Sequence, residues 1–345
     1  MKDICEFKKR FKAAGLRQGW WDAPGIVTAL SGGGDSVALL WLLHNFYPGR
    51  VVAAHLDHCT REGMSHEDAE FVKTLCCGWG VECRVKVAEV LKNKQPGESF
   101  EMAGRRERYL HFRETAAACG LHYIAVGHSA DDLVETQLLN LFRGTGPAGL
   151  RGIPEVRGDI VRPIIDFRRE ELRQLLREHS VEWREDASNE DTHYARNKVR
   201  CQLIPWIREN LNPNFEKTMT GLAKQLDQEL SERELHTAAN LARARVRIEP
   251  ALACWEPSVL AEFSDTELLD MLRAEGAELG LPTLSRDRTL KLLALVRRGG
   301  CWRFQWARDV EVCWSSRGMG WLHRGDVEQS RRKNNEKHGG PWWAA

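Results

Sequence analysis

Four short apolar runs mark the first part of the chain, and each is followed by a longer stretch with helical spacing. Residues 25–30 are apolar and β-compatible; they end in Ser31-Gly32-Gly33-Gly34-Asp35-Ser36, after which 37–45 reads as an apolar helix. A second strand is expected at 51–56, closing in His55-Leu56-Asp57-His58, with an acidic helix over about 65–78. Residues 81–87 give a third strand, then a loop containing Pro96 and Gly97 and a helix over about 99–120. Residues 122–126 give a fourth, ended by Gly127-His128, with a helix over 131–143. Strands that alternate with helices of this length imply βαβ crossovers, so the expected fold class is α/β with a doubly wound parallel sheet.

Beyond Gly152 the alternation stops. Helices are expected at 168–179, 194–210, 265–280 and 285–297, and 216–248 reads as a charged helical connector with Leu222, Leu226 and Leu230 at helical spacing. The stretch 301–322 alternates as strands do, with Trp302, Trp306 and Trp314 read as sheet core, so a smaller C-terminal α+β domain is expected. The boundaries are 1–215, 216–330 and a basic, disordered tail at 331–345; no internal repeat is present.

Composition narrows the classes. With 345 residues, 42% hydrophobic and 29% charged, the chain has the make-up of a globular protein of about two domains. Its longest apolar run, 37–43, is far short of the ~20 residues of a membrane helix, and the N-terminus lacks an uninterrupted apolar stretch, so a cytoplasmic protein is expected. Fifty basic against 49 acidic residues leave a net charge of +1, so any nucleic-acid site must be a local patch. Ten cysteines are scattered without CxxC or zinc spacing and read as reduced thiols.

The strongest chemical signal is SGGGDS at 31–36, between a strand and a helix. Three glycines allow close backbone approach and positive φ, so successive N–H groups can cradle an anion at a helix N-terminus. No Lys-Ser/Thr follows in the Walker position and the spacing is not GxGxxG, so the loop belongs to neither of those phosphate-binding classes. If 131–143 is helical, Asp131, Asp132 and Glu135 share one end of it, at the same sheet edge as SGGGDS. Such a cluster attracts a cation, or serves the helix dipole.

SGGGDS resembles the SGGxDS pyrophosphate loop of the N-type ATP pyrophosphatases. Further segments resemble the tRNA(Ile)-lysidine synthetase family: His55-Leu56-Asp57-His58 with Arg61 (HxDHxxR), Arg105 to Tyr109 (RxxRY) and Gly127 to Thr136 (GHxxDDxxET). Arg143-Gly144-Thr145-Gly146, Arg162-Pro163, Asp186-Ala187-Ser188-Asn189 and Arg196 to Arg200 continue in order, so the likeness is strong over about 25–205. Cys59, Thr60 and Gly104 depart from the family pattern by packing-sized changes, and the length matches the family's shorter forms.

The resemblance implies an adenine nucleotide alpha hydrolase-like sheet, with 1–215 as the PP-loop catalytic domain and 216–330 as a connector and tRNA-binding domain. It implies a ligase using ATP and Mg²⁺, with L-lysine and the CAU-anticodon isoleucine tRNA as partners, no membrane, and a homodimer as one assembly left open. In the reaction that the resemblance implies, cytidine O2 attacks the ATP α-phosphate, and the lysine amine then displaces AMP at C2. The expected catalytic residues are Asp35, Arg108, His128, Asp132 and Glu135. Ser31, Gly32, Gly33, Gly34, Asp35 and Ser36 bind pyrophosphate, with Asp35 also on the metal. Asp131, Asp132 and Glu135 take the lysine ammonium, and Arg143, Arg162, Arg196, Lys198 and Arg200 take tRNA phosphates, unless those cations form an ordinary solvated face. His55, His58 and His128 suit either proton transfer or hydrogen bonding at strand ends, His128 also nucleotide lining. A PP-loop tRNA thiolase and a catalytically lapsed RNA-binding module are the rival readings.

Overall fold

The computed structural model describes residues 4–57, 64–88, 90, 93–185, 195–315 and 318–326. The chain divides into two compact units, Met1–Asp227 and Gln228–Ala345.

The first unit opens with α1 (Ile4–Arg17) and continues through β1 (Gly25–Ala29), α2 (Gly34–Phe46), β2 (Arg50–Asp57), α3 (Met64–Gly78), β3 (Glu82–Val87), α4 (Phe100–Cys119), β4 (Tyr123–Ala125) and α5 (Ala130–Phe142). A short α6 (Pro147–Leu150), two-residue strands β5 (Val156–Arg157) and β6 (Ile160–Val161), and α7 (Arg169–Glu178) follow. Then come α8 (Ala195–Lys198), a π turn at Val199–Leu203, α9 (Ile204–Asn210) and α10 (Phe215–Ala244), which carries the chain into the second unit.

The sheet runs β3-β2-β1-β4-β6-β5, parallel throughout except for the β5/β6 edge pair. The doubly wound sheet expected from the apolar runs is therefore present. Connections reverse between β1 and β4, which makes the crevice beyond their carboxyl ends the natural ligand position. Residues 36–43 of α2 are all buried, as a helix with apolar side chains on every face must be. Residues 37–43 form one core with Phe11, Trp20, Ile26, Phe167 and Leu172. The helix α4 is bounded by local chemistry: Ser99 Oγ accepts from Met102 N at 3.2 Å, and Gly120 closes it at φ 66°.

The second unit holds β7 (Ala253–Trp255), α11 (Pro257–Leu260), α12 (Asp265–Glu278), α13 (Arg286–Arg298), β8 (Trp302–Gln305), β9 (Val310–Ser315) and β10 (Gly318–His323). Its antiparallel sheet, ordered β7-β10-β9-β8, packs with Leu268, Met271 and Leu292. Trp302 and Trp306 are buried in that core and Trp314 packs against it, matching the core reading of the alternating tryptophans. Buried Glu275 is held by Arg245 at 2.9 and 3.0 Å and by Trp255 Nε1 at 2.6 Å. No described helix is long and apolar enough to cross a membrane. His58, Cys59, Thr60, Arg61, the 186–189 segment and the 331–345 tail lie outside the described residues.

Candidate active site

The turn after β1 and the turn after β4 meet at the reversal point. Gly32 sits at φ +90°, a conformation that a residue with a Cβ adopts only under strain. Ser36 Oγ donates to Gly33 O at 2.8 Å, accepts from Ser31 N at 3.2 Å and lies 3.0 Å from Ser31 Oγ. The two serines thus fix the loop around the first turn of α2, whose leading N–H groups have no acceptor within the helix and suit phosphoryl oxygens. A Cβ on Gly127 would lie 3.2 Å from Ser36 N and Cα, so glycine permits the β4 turn to pack onto the α2 N-terminus. Arg184 N donates to Gly32 O at 2.9 Å and lays a third segment along the loop.

The acidic helix start expected on α5 is present and is bound by three guanidiniums. Asp132 closes the turn by accepting from Ser129 N at 3.0 Å and Ser129 Oγ at 3.1 Å. Arg169 donates from Nε to Asp35 Oδ2 at 3.1 Å, from Nη2 to Asp132 Oδ1 at 3.1 Å and from Nη1 to Glu135 Oε1 at 3.4 Å. Its backbone N–H donates to Asp131 Oδ2 at 2.7 Å. Arg196 Nε meets Glu135 Oε2 at 2.8 Å, and Arg200 grips both Glu135 oxygens at 2.7 and 3.1 Å. Glu135 is 1% exposed, so such a carboxylate has to be paired.

Burial pushes the Asp132 carboxyl up, but Arg169, the Ser129 N–H and Arg196 outweigh it and hold it below the ordinary carboxylate value. Asp35 goes the other way: burial raises it, and Arg169 only partly offsets that with Asp132 and Asp131 close by. Four carboxylates (Asp35, Asp131, Asp132, Glu135) against three guanidiniums (Arg169, Arg196, Arg200) leave one negative charge uncompensated in this set. Asp35 Oδ1 is buried and has no hydrogen-bond partner among the described residues. Among the described residues no group of three or more His, Cys, Asp or Glu is placed to hold a metal; Asp35 would be the residue to hold Mg²⁺, which would supply neutralisation of phosphate charge.

Other expected residues are distributed unevenly. His128 Nδ1 accepts from Arg162 Nε at 3.3 Å; burial foremost, with Arg162, Arg196 and Arg105, lowers His128 to about 4 against Asp132, so it is neutral at physiological pH. Arg162 is 4% exposed and donates to Pro154 O at 2.6 Å. Burial lowers its guanidinium, as do Arg105 and Arg157. Arg108 stands on α4 with part of its side chain exposed, while the protein packed around its head group and neighbouring Arg105 lower its guanidinium. His55 Nδ1 donates to Leu30 O at 2.7 Å, and its Nε2 is buried with no partner among the described residues. On the 195–200 turn Arg196 and Arg200 face the carboxylates, whereas Lys198 between them is exposed. Arg143 follows the far end of α5, about 20 Å of helix from its acidic start.

The residue pattern does not single out Arg169, the most connected side chain of the cluster. One local signal was available: Arg168 and Arg169 lead into α7, where a basic residue opposes the helix dipole. A cleft of about 430 Å³ opens on this side of the cluster, lined by Arg168, Arg169, Arg173 and Arg208 and by Asp131, Glu170 and Glu171, and not by the 31–36 loop.

Residues 6–207 match the family model described as a PP-loop domain. The chain is 39% identical to a tRNA(Ile)-lysidine synthase from Clostridium perfringens over 203 residues, 57% of this chain and 43% of that protein. It is 41% identical to one from Porphyromonas gingivalis over 204 residues, 59% and 44% of the two chains. The match spans less than half the length of these curated relatives. Among solved structures, a U34-tRNA thiolase from Methanococcus maripaludis, described with its iron–sulfur cluster, superposes with a TM-score of 0.53 at 14% identity over 65% of this chain and 81% of that one. That likeness is one of fold.

Proposed function

We propose, on the premise that this chain belongs to the PP-loop domain family, that it acts as a tRNA(Ile)-lysidine synthase, joining L-lysine to C2 of the wobble cytidine of a CAU-anticodon tRNA with conversion of ATP to AMP and pyrophosphate. The observation that carries this reading is the meeting of the 31–36 loop with the α5 carboxylates at one sheet edge, joined through Arg169. One end of the site takes phosphates; the other takes a cation.

In this reading the α2 N-terminus and the loop N–H groups hold the β and γ phosphates, and Asp35 holds Mg²⁺, which supplies neutralisation of phosphate charge. Arg108, exposed on α4, reaches the transferred adenylate, and neutral His128 lines the nucleotide. Asp131, which lines the cleft, faces the ammonium of lysine, and Asp132 and Glu135 behind it supply negative charge and hold Arg169, Arg196 and Arg200 in place. Adenylation at cytidine O2 makes C2 electrophilic; attack by the lysine amine forms the C–N bond as AMP leaves with the oxygen. Catalysis rests on orientation and on charge complementarity, with no covalent enzyme intermediate. Arg143, Lys198 and the outer edges of Arg196 and Arg200 contact RNA phosphates; Arg162, expected among them, is buried against His128 and Pro154 O and is left to hold the nucleotide-side turn instead. The protein works in the cytoplasm where tRNA is.

Nothing observed favours the thiolase or the lapsed-module reading. Incubation with radiolabelled lysine, ATP and unmodified CAU tRNA tests the proposal. Label entering RNA only when ATP is present is the expected result, and unlabelled RNA overturns it.

A further inference from the structure

The geometry points to Arg169 as a positioning residue that couples the phosphate loop to the α5 carboxylates, so that nucleotide and lysine are held through one shared guanidinium. The inference rests on the function proposed above. Arg196 and Arg200 come from one short turn and meet Asp132 and Glu135. Arg169 alone among the described arginines also bonds Asp35, and its Nε, Nη1 and Nη2 each take a different carboxylate, in Asp35, Glu135 and Asp132. Its backbone is held as well, through Asp131. With 16% of its side chain exposed, it has little freedom to leave.

Asp35 depends on this guanidinium in a way Glu135 does not. One Asp35 oxygen is bonded to Arg169, and the other has no hydrogen-bond partner among the described residues. Removing Arg169 leaves Glu135 with two guanidiniums and Asp35 with none among the described residues, so the phosphate-loop carboxylate loses its fixed direction. A lysine at 169 keeps the charge but cannot span three carboxylates with a planar fork.

Calorimetric binding of a non-hydrolysable ATP analogue with Mg²⁺ to the full chain tests this in a double-mutant cycle of R169A and D35N. Each single variant should weaken binding by about tenfold, the size of one charge-assisted hydrogen bond. The double variant should be no weaker than D35N alone, because Arg169 acts through Asp35. Additive losses, or unchanged binding by R169A, overturn the inference. Should R169A fold poorly, R169K carries the same cycle; it should keep most of the binding defect, and full rescue overturns the role of the fork. With labelled lysine, the Arg169 variants should also raise the lysine KM. Failure of the wild type itself to bind the analogue would refute the functional reading and this inference together, an outcome distinct from a silent R169A.

Discussion

Glu135 illustrates how much one buried side chain commits a site. It is held by Arg169, Arg196 and Arg200 and almost fully withdrawn from water. Glu135→Gln keeps its shape and removes its charge. In the proposed reaction the lysine KM should rise by about 10- to 150-fold, from loss of a charge-assisted bond of about 1.5–3 kcal/mol, with a smaller change in ATP use. An unchanged lysine KM would remove Glu135 from the lysine site. His128 gives a pH signature. Its folded value of about 4 lies below the ordinary 6.5, so between those values the unfolded chain binds more protons than the folded one. Stability therefore falls as pH drops through that window, and His128→Gln should flatten the fall in denaturant unfolding measured from pH 7 to 4. An identical slope in both proteins would contradict a buried, neutral His128. Residue-level legibility was partial. SGGGDS, Asp132 and Glu135 stand out by spacing, but their counter-ion Arg169 lies 34 residues beyond Glu135 and comes close only through the fold. Arg196 and Arg200 were legible as positive charge; that they face carboxylates was not.

At the scale of elements, the β1/β4 reversal brings two loops together, and Gly127 sets how close. Gly127→Ala would place a methyl against Ser36 N and Cα and the Asp35 carbonyl carbon, all backbone that cannot swing aside. Overpacking of this kind costs about 1–3 kcal/mol of stability. The larger effect should fall on ATP-dependent pyrophosphate release, lowered about 100-fold by displacement of the phosphate loop. Pyrophosphate release at the wild-type rate from a folded variant would show that the two loops need not touch. The long elements were readable because their apolar periods run for many residues: the four parallel strands and α2 to α5 were expected close to where they lie. The strands β5 and β6, two residues each, are too short to carry a period. The helix α1 does carry one, with Phe7, Phe11, Ala14 and Gly15 buried, but its charged positions hid it among features of an ordinary N-terminus.

For the whole molecule, the two compact units have separate apolar cores, one built on residues such as Phe11, Leu40 and Phe167 and the other on Trp255, Met271 and Trp321. Every residue of the phosphate loop and the carboxylate cluster lies in the first. Residues 1–227 expressed alone should therefore fold and bind the ATP analogue with Mg²⁺ as the full chain does, while tRNA affinity weakens. Each RNA phosphate that the shortened chain no longer neutralises should reduce the log–log salt slope by about 0.7 to 0.9. Equal tRNA affinity and slope in the shortened and full chains would assign RNA binding to the first unit alone.

The central claim is that lysine becomes joined to a tRNA base. The most direct measurement is the mass of the wobble nucleoside, released by digestion after unmodified CAU tRNA has been incubated with the protein, ATP and lysine. The account predicts a cytidine heavier by lysine minus one water, formed only with all three substrates present. Unchanged cytidine, or a sulfur gained by a uridine, would contradict it.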